Sequence, residues 1–120
     1  MIGVEISPAL AEIARANLAA RRRHHRCPDV EIVVADVTQY EVPDDMTIGY
    51  LYNPFTYETL DTVLQEIVQS IDRRPRRVRL IYAAAPESGG PVLATGRFRL
   101  VKEQRNRLLD PYTTSIYESC

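Results

Sequence analysis

The chain has little that would tie it to a metal or to the outside of a cell. Its 120 residues include two cysteines, Cys27 and Cys120, far apart and in no CxxC arrangement. A zinc site and a disulfide framework therefore have no support, and a reducing compartment is the simpler expectation. No apolar run approaches the roughly 20 residues of a membrane span. Met1-Ile2-Gly3-Val4-Glu5 lacks the basic stretch and long apolar run of a secretion signal, so a cytoplasmic location is expected. Tryptophan is absent and glycine is scarce, at five residues. No GxGxG-like run exists, and Gly89-Gly90 falls late, in the wrong context for a phosphate-binding turn. The formal net charge is −1, so no global field draws nucleic acid or membrane to the surface.

What is present is an ordinary globular mix, 45% hydrophobic and 26% charged, enough for one small domain or a piece of a larger one. The basic residues cluster twice, in Arg21-Arg22-Arg23-His24-His25-Arg26 and in Arg73-Arg74-Pro75-Arg76-Arg77. Such clusters can contact phosphate. Their commoner use is as solvated helix ends, where cations suit the negative end of the helix dipole.

The pattern along the chain alternates between two periods. Residues 1–6 are a short apolar run with an acid near its close, the mark of a buried parallel strand. Ser7 and Pro8 suit a helix cap and first turn, and Leu10, Ile13, Ala14 and Leu18 carry one apolar face over about 9–23. Residues 30–37, VEIVVADV, read as a second strand and 46–52, MTIGYLY, as a third, closed by Asn53-Pro54. Thr56 suits a second helix cap, and Leu60, Val63, Leu64, Ile67, Val68 and Ile71 fit the helical period at every step. A fourth strand is expected at 78–84, a flexible loop at 86–91, and an antiparallel strand pair at 94–103 and 112–118. The fold class is α/β, a mostly parallel sheet with a closing antiparallel pair. One connection is odd. The second and third strands are joined without a helix, over fewer residues than a parallel crossover needs, so they are not expected to be neighbours.

In open parallel sheets ligands bind beyond the carboxyl ends of the strands. Three polar groups fall there: Glu5, Asp36 and Asn53. An ionised carboxylate is an acceptor only, which suits a ribose diol at Glu5. Asp36 can accept from an exocyclic adenine amine, the backbone of Val37 can read the adjacent ring nitrogen, and Ile6 can cover one face of the base. Asn53 both accepts and donates, Pro54 stiffens the backbone beside it, and Phe55 offers an aromatic wall. Each has a plainer use as well: Glu5 as a solvated strand end, Asp36 as a cap or turn residue, Asn53-Pro54 as a turn starter.

These residues resemble a known family. Ile2-Gly3-Val4-Glu5-Ile6-Ser7-Pro8 looks like the second strand and following turn of class I S-adenosylmethionine (SAM)-dependent methyltransferases, where the acid binds the cofactor ribose. Val33-Val34-Ala35-Asp36-Val37 resembles the third strand, whose acid contacts adenine. Tyr50-Leu51-Tyr52-Asn53-Pro54-Phe55 resembles the fourth strand and the motif lining the pocket near the transferred methyl. Asn-Pro-Phe is similar to a shortened Asp/Asn-Pro-Pro-Tyr/Phe, the motif of amino-group methyltransferases, but lacks its second proline, so nitrogen is one option for the acceptor. Residues 78–118 are similar to the fifth strand and the closing antiparallel pair. The resemblance implies a Rossmann-like domain, SAM as cofactor, and methyl transfer to an unassigned small or macromolecular acceptor.

The resemblance also accounts for the odd connection. In that fold the first strand lies between the second and fourth, and a glycine-rich turn after it wraps the methionine part of the cofactor. Both are missing here. The expectation is therefore a partial domain over 1–120, an N-terminally truncated and inactive fragment whose parent carries roughly 50–100 further residues. Two rivals are weighed against this. One is a fragment of an NAD-type Rossmann dehydrogenase, which would also place an acid after its second strand. The other is a non-catalytic module that binds nucleic acid through its arginine clusters.

Overall fold

The computed structural model describes residues 1–52, 55–85, 90–105 and 113–120, with the side chains of 84, 85 and 105 excepted. The Asn53-Pro54 step of the candidate site lies outside the described residues. The chain forms two compact units, Met1–Tyr40 and Glu41–Cys120.

The first unit is strand β1 (Ile2–Glu5), helix α1 (Pro8–Ala20) and strand β2 (Glu31–Val34). The strands pair in parallel, with Glu5 opposite Val34. Ser7 caps α1 as expected, accepting from the Leu10 amide at 3.4 Å, with Pro8 in the first turn. The helix ends at Ala20, short of the expected 23, because Arg22–His24 tighten into a 3-10 turn. Strand β2 is also shorter than the expected 30–37. Asp36 leaves the ladder and caps a second 3-10 turn, Val37–Gln39. Its side chain offers Thr38 a local partner, and local side-chain bonds compete with strand pairing.

The second unit is β3 (Ile48–Tyr52), α2 (Tyr57–Arg73), β4 (Arg79–Ala85), α3 (Gly90–Ala94), β5 (Phe98–Arg105) and β6 (Thr113–Ser119). Its four strands form one sheet in the order β3-β4-β6-β5. The pair β3–β4 is parallel, while β4–β6 and β5–β6 are antiparallel. Thr56 caps α2 by accepting from the Thr59 amide. The helical stripe predicted by periodicity is the buried one, with Leu60, Val63, Leu64, Ile67 and Ile71 inside. On the sheet, Leu80, Tyr82, Ser115 and Tyr117 share one face by register and are all buried. That face and the α2 stripe make the core. Arg76 fastens the end of α2 to the lead into β3 through five donated hydrogen bonds.

Two expectations are corrected here. Of the loop expected at 86–91, residues 86–89 lie outside the described residues, while Gly90 and Pro91 open α3, where Pro91 fits a first helical turn and Val92 is fully buried. The antiparallel strand expected from 94 starts at Phe98, with Gly96 at φ +67° making the turn before it. The short-connection argument holds, since β2 and β3 do not pair. Each of the two sheets holds a parallel pair, β1–β2 and β3–β4, and the expected antiparallel pair β5–β6 closes the second, as an incomplete Rossmann-like α/β sheet requires.

Candidate functional site

Glu5 and Asp36 come from the carboxyl ends of adjacent parallel strands. The ladder runs through Glu5 opposite Val34, and the Ala35 amide donates to the Glu5 carbonyl at 3.1 Å. Asp36 follows directly, so both acids lie at the same rim of the β1–β2 sheet. The Glu5 carboxylate is half-buried, and its Oε1 accepts from the Ser7 amide at 2.8 Å. That bond fixes the carboxylate over the start of α1, where the positive end of the helix dipole favours negative charge. No hydrogen bond to its Oε2 occurs among the described residues.

Asp36 is exposed and uses Oδ1 twice, accepting from the Thr38 amide at 2.9 Å and the Thr38 hydroxyl at 2.7 Å. The hydroxyl first and the amide second hold its carboxyl below the usual range, because hydrogen bonds to the charged form favour it. The plainer use foreseen for Asp36, a cap, is thus realised, and Oδ2 is left with no hydrogen bond among the described residues. Ile6 is 68% exposed, an apolar side chain available beside Glu5. Val37 is half-buried in the 3-10 turn, and its carbonyl accepts from the Tyr40 amide at 3.3 Å.

The residues expected on the acceptor side belong to the other unit. Phe55 is half-buried just before α2. Tyr57 opens α2, and its hydroxyl oxygen lies 3.9 Å from where a side chain on Gly90 would begin. Tyr82 is buried on β4, and burial raises its phenol pKa, with Tyr117 and Tyr57 adding to the effect. Glu5 and Asp36 follow strands of the two-stranded sheet, whereas β3, after which Asn53 and Pro54 fall outside the described residues, belongs to the four-stranded one. The resemblance places a further strand between β1 and β3, and these two are not paired with each other.

The second arginine cluster is taken up in structure. Arg73 pairs with Asp44 at 2.9 Å and Glu66 at 3.1 Å, and Arg76 is the clamp described above. The first cluster is exposed beyond α1, beside a hollow of about 200 Å³ lined by Leu18, Arg22, His25, Cys27 and Val30 among others. Among the described residues no three His, Cys, Asp or Glu gather as a metal site, and no helix is long and apolar enough to cross a membrane.

No family model matches the chain, and no curated protein matches it. Solved structures do. The Escherichia coli protein yhhF superposes at TM-score 0.64 with 11% identity, covering 98% of this chain and 63% of its own. The N-methyltransferase NodS from Bradyrhizobium japonicum WM9, solved with S-adenosylhomocysteine (SAH), gives 0.64 and 10%, covering 98% of this chain and 65% of its own. The SAM-dependent methyltransferase SibL gives 0.69 and 12%, covering 98% and 42%. The chain thus spans about two thirds or less of these proteins. It has the class I SAM-dependent methyltransferase fold, and nothing among these likenesses supports a dehydrogenase.

Proposed function

We propose that this chain carries the adenosine-binding rim and the acceptor-side segment of a SAM-dependent methyltransferase. The observation that supports it most is the pair Glu5 and Asp36 at the carboxyl ends of adjacent parallel strands, in a chain with this fold. Each carboxylate is anchored through one oxygen by a local amide. The other oxygen is left to accept from a ligand, Glu5 from a ribose diol and Asp36 from an adenine amine. Ile6 would lie against the base, with the Val37 backbone beside it. These residues fit the nucleoside end of SAM. The cofactor supplies a methyl group on a sulfonium, ready for direct transfer. What the protein adds is then proximity and alignment more than acid–base chemistry.

Asn53, Pro54 and Phe55 are assigned to the acceptor side, with Phe55 as a wall and Asn53 as the hydrogen-bonding group. The acceptor is unassigned, and a nitrogen is one option. The glycine-rich turn for the methionine end is missing from this sequence, so the isolated chain is expected to bind SAH weakly and to transfer no methyl. A cytoplasmic location goes with this reading.

The test is saturation-transfer NMR on the 120-residue chain with SAH and, separately, NADH. Transfer to the adenine and ribose protons of SAH is expected, reduced severalfold by Glu5→Ala, with little transfer to the methionine moiety. Nicotinamide contacts from NADH, or SAH contacts indifferent to Glu5→Ala, would refute the assignment. Micromolar SAH affinity would overturn the expected inactivity.

A further inference from the structure

The two arginine clusters differ in what they are attached to. In the second, Arg73, Arg76 and Arg77 are held by carboxylates or carbonyls. In the first, Arg21, Arg22, Arg23 and Arg26 are exposed and make no side-chain hydrogen bond or ion pair among the described residues. Asp29 is the one acid between residues 20 and 30. Four guanidiniums, with five donors each, are thus left for an outside acceptor.

Local structure spreads these cations. Helix α1 ends at Ala20, and Arg22–His24 tighten into the 3-10 turn. With three residues per turn, side chains three apart fall on one side and their neighbours fan outward. Arg22 and His25 accordingly line one hollow of about 200 Å³, whose apolar wall includes Leu18, Pro28 and Val30. Arg22, Arg23 and His24 line a second of about 520 Å³ over Ala19 and Ala20. The segment joins the end of α1 to the start of β2, at the amino ends of the strands. The 13 residues of α1 put it about 20 Å from the rim that carries Glu5 and Asp36, so it is a separate site.

The chemistry of the turn selects its occupant. A packed apolar neighbour would bury guanidiniums without partners, a penalty that a phosphate or carboxylate removes. Residues 21–26 hold no Leu, Phe or Trp to enter a bilayer. Guanidinium forks match phosphate oxygens in geometry. The smaller hollow is below the roughly 300–1,000 Å³ of small-molecule pockets, so it suits one planar ring rather than a whole cofactor. His25 offers that ring a stacking face, and Arg22 a fork for the neighbouring phosphate. Bases stacked inside a duplex are not free to enter such a hollow, so the fit is to a single strand.

We propose that the 21–26 turn binds single-stranded nucleic acid, with phosphates on Arg21, Arg22, Arg23 and Arg26 and one base seated against His25. The binding does not depend on the methyl-transfer reading. The test is fluorescence anisotropy of labelled twelve-nucleotide oligouridine and oligothymidine with the 120-residue chain. Both share the backbone and should bind, with affinity on the order of 10–100 µM at low salt, and the tighter one identifies the sugar. Arg22→Gln/Arg23→Gln should weaken binding about tenfold and lower the slope of log affinity against log salt by about 1.4. The far-UV circular dichroism should not change, since neither side chain has a partner to lose. Arg74→Gln removes an exposed arginine of the other cluster and should leave binding unchanged. His25→Ala should weaken the single strands about fivefold and leave a twelve-base-pair duplex unaffected. No binding at low salt overturns the proposal, as does binding indifferent to the arginine pair or equally reduced by Arg74→Gln. No loss with His25→Ala, or an equal loss for the duplex, overturns the seated base. Phosphatidylserine vesicles that sediment the chain through Arg22 and Arg23, without oligonucleotide binding, would assign the turn to a membrane instead.

Discussion

Arg76 should be among the most costly side chains to remove from the second unit. Its Nε donates to the Met46 carbonyl at 2.6 Å. Its Nη1 donates to the carbonyls of Ser70 at 2.8 Å and Arg74 at 3.0 Å. Its Nη2 donates to the Pro43 carbonyl at 3.2 Å and the Ser70 hydroxyl at 2.7 Å. Two of the acceptors, the Ser70 and Arg74 carbonyls, close the last turn of α2, where a cation also suits the helix dipole. Charge-assisted hydrogen bonds contribute about 1.5–3 kcal/mol each and do not add, and three donor nitrogens act here as one rigid fork. Arg76→Ala should cost about 3–5 kcal/mol, because the partly buried acceptors lose their partner as well. With a urea slope of roughly 1–2 kcal/mol/M, the midpoint of the second unit's transition should fall by about 2 M. Arg76→Lys should recover less than half of the loss, since one ammonium cannot span the same acceptors. Ser70→Ala, paired with Arg76→Ala in a double-mutant cycle, should show a coupling of about 1 kcal/mol. A loss below about 1 kcal/mol for Arg76→Ala would refute the clamp.

Two further outcomes follow from the same sheet. Hydrogen bonds from Arg99 and then Arg79 hold the Glu118 carboxyl below its ordinary value. Its stabilising effect is therefore full above the unfolded value of about 4.3 and is lost as pH falls through the lower folded value. Acid titration followed by circular dichroism should show Glu118→Gln flattening this limb, and an unchanged limb would contradict the pairing. At Gly49 an added side chain would start 2.8 Å from the Leu80 Cδ2 atom, on the packed face of β3. Overpacking there should outweigh the gain from a stiffer unfolded chain, so Gly49→Ala should lose about 1 kcal/mol in urea denaturation.

The periodic elements were legible, and the local competitions were not. Helix α2 was readable because the apolar steps on its 3.6-residue period, all but the half-buried Val68, are also burial steps. Ser7 and Thr56 were readable as caps because their hydroxyls meet the amides three residues on. Asp36 was placed in a strand because VEIVVADV has β-branched residues on both sides of it. The pattern carries no record of the two bonds from Thr38 that pull it out. In α3, Gly90-Pro91 reads as a loop from its composition, and only the burial of Val92 against its surroundings makes it a helix. The arginine clusters looked alike in sequence, yet Arg76 is fastened to carbonyls up to 33 residues away while Arg22 and Arg23 stay exposed. Strand pairing was the least legible, since a strand's own pattern gives its faces and not its partner.

The two candidate carboxylates stand on the less supported unit. Among the described residues, Ala11 is the one buried apolar side chain of Met1–Tyr40, and the other buried apolar side chains belong to Glu41–Cys120. Leu10 and Ile13 on α1 are 55% and 57% exposed, so the apolar face that the helical period predicted is largely unburied. A two-stranded sheet with one helix and so little burial has low local stability. A ligand that needs Glu5 and Asp36 in place binds with its intrinsic dissociation constant divided by the fraction of chains holding them there, and so more weakly. Removing Glu5 acts on the intrinsic term, whereas anything that buries Leu10 and Ile13 acts on the fraction. Weak adenosine binding, where measured, would therefore report on the scaffold before it reports on the acids.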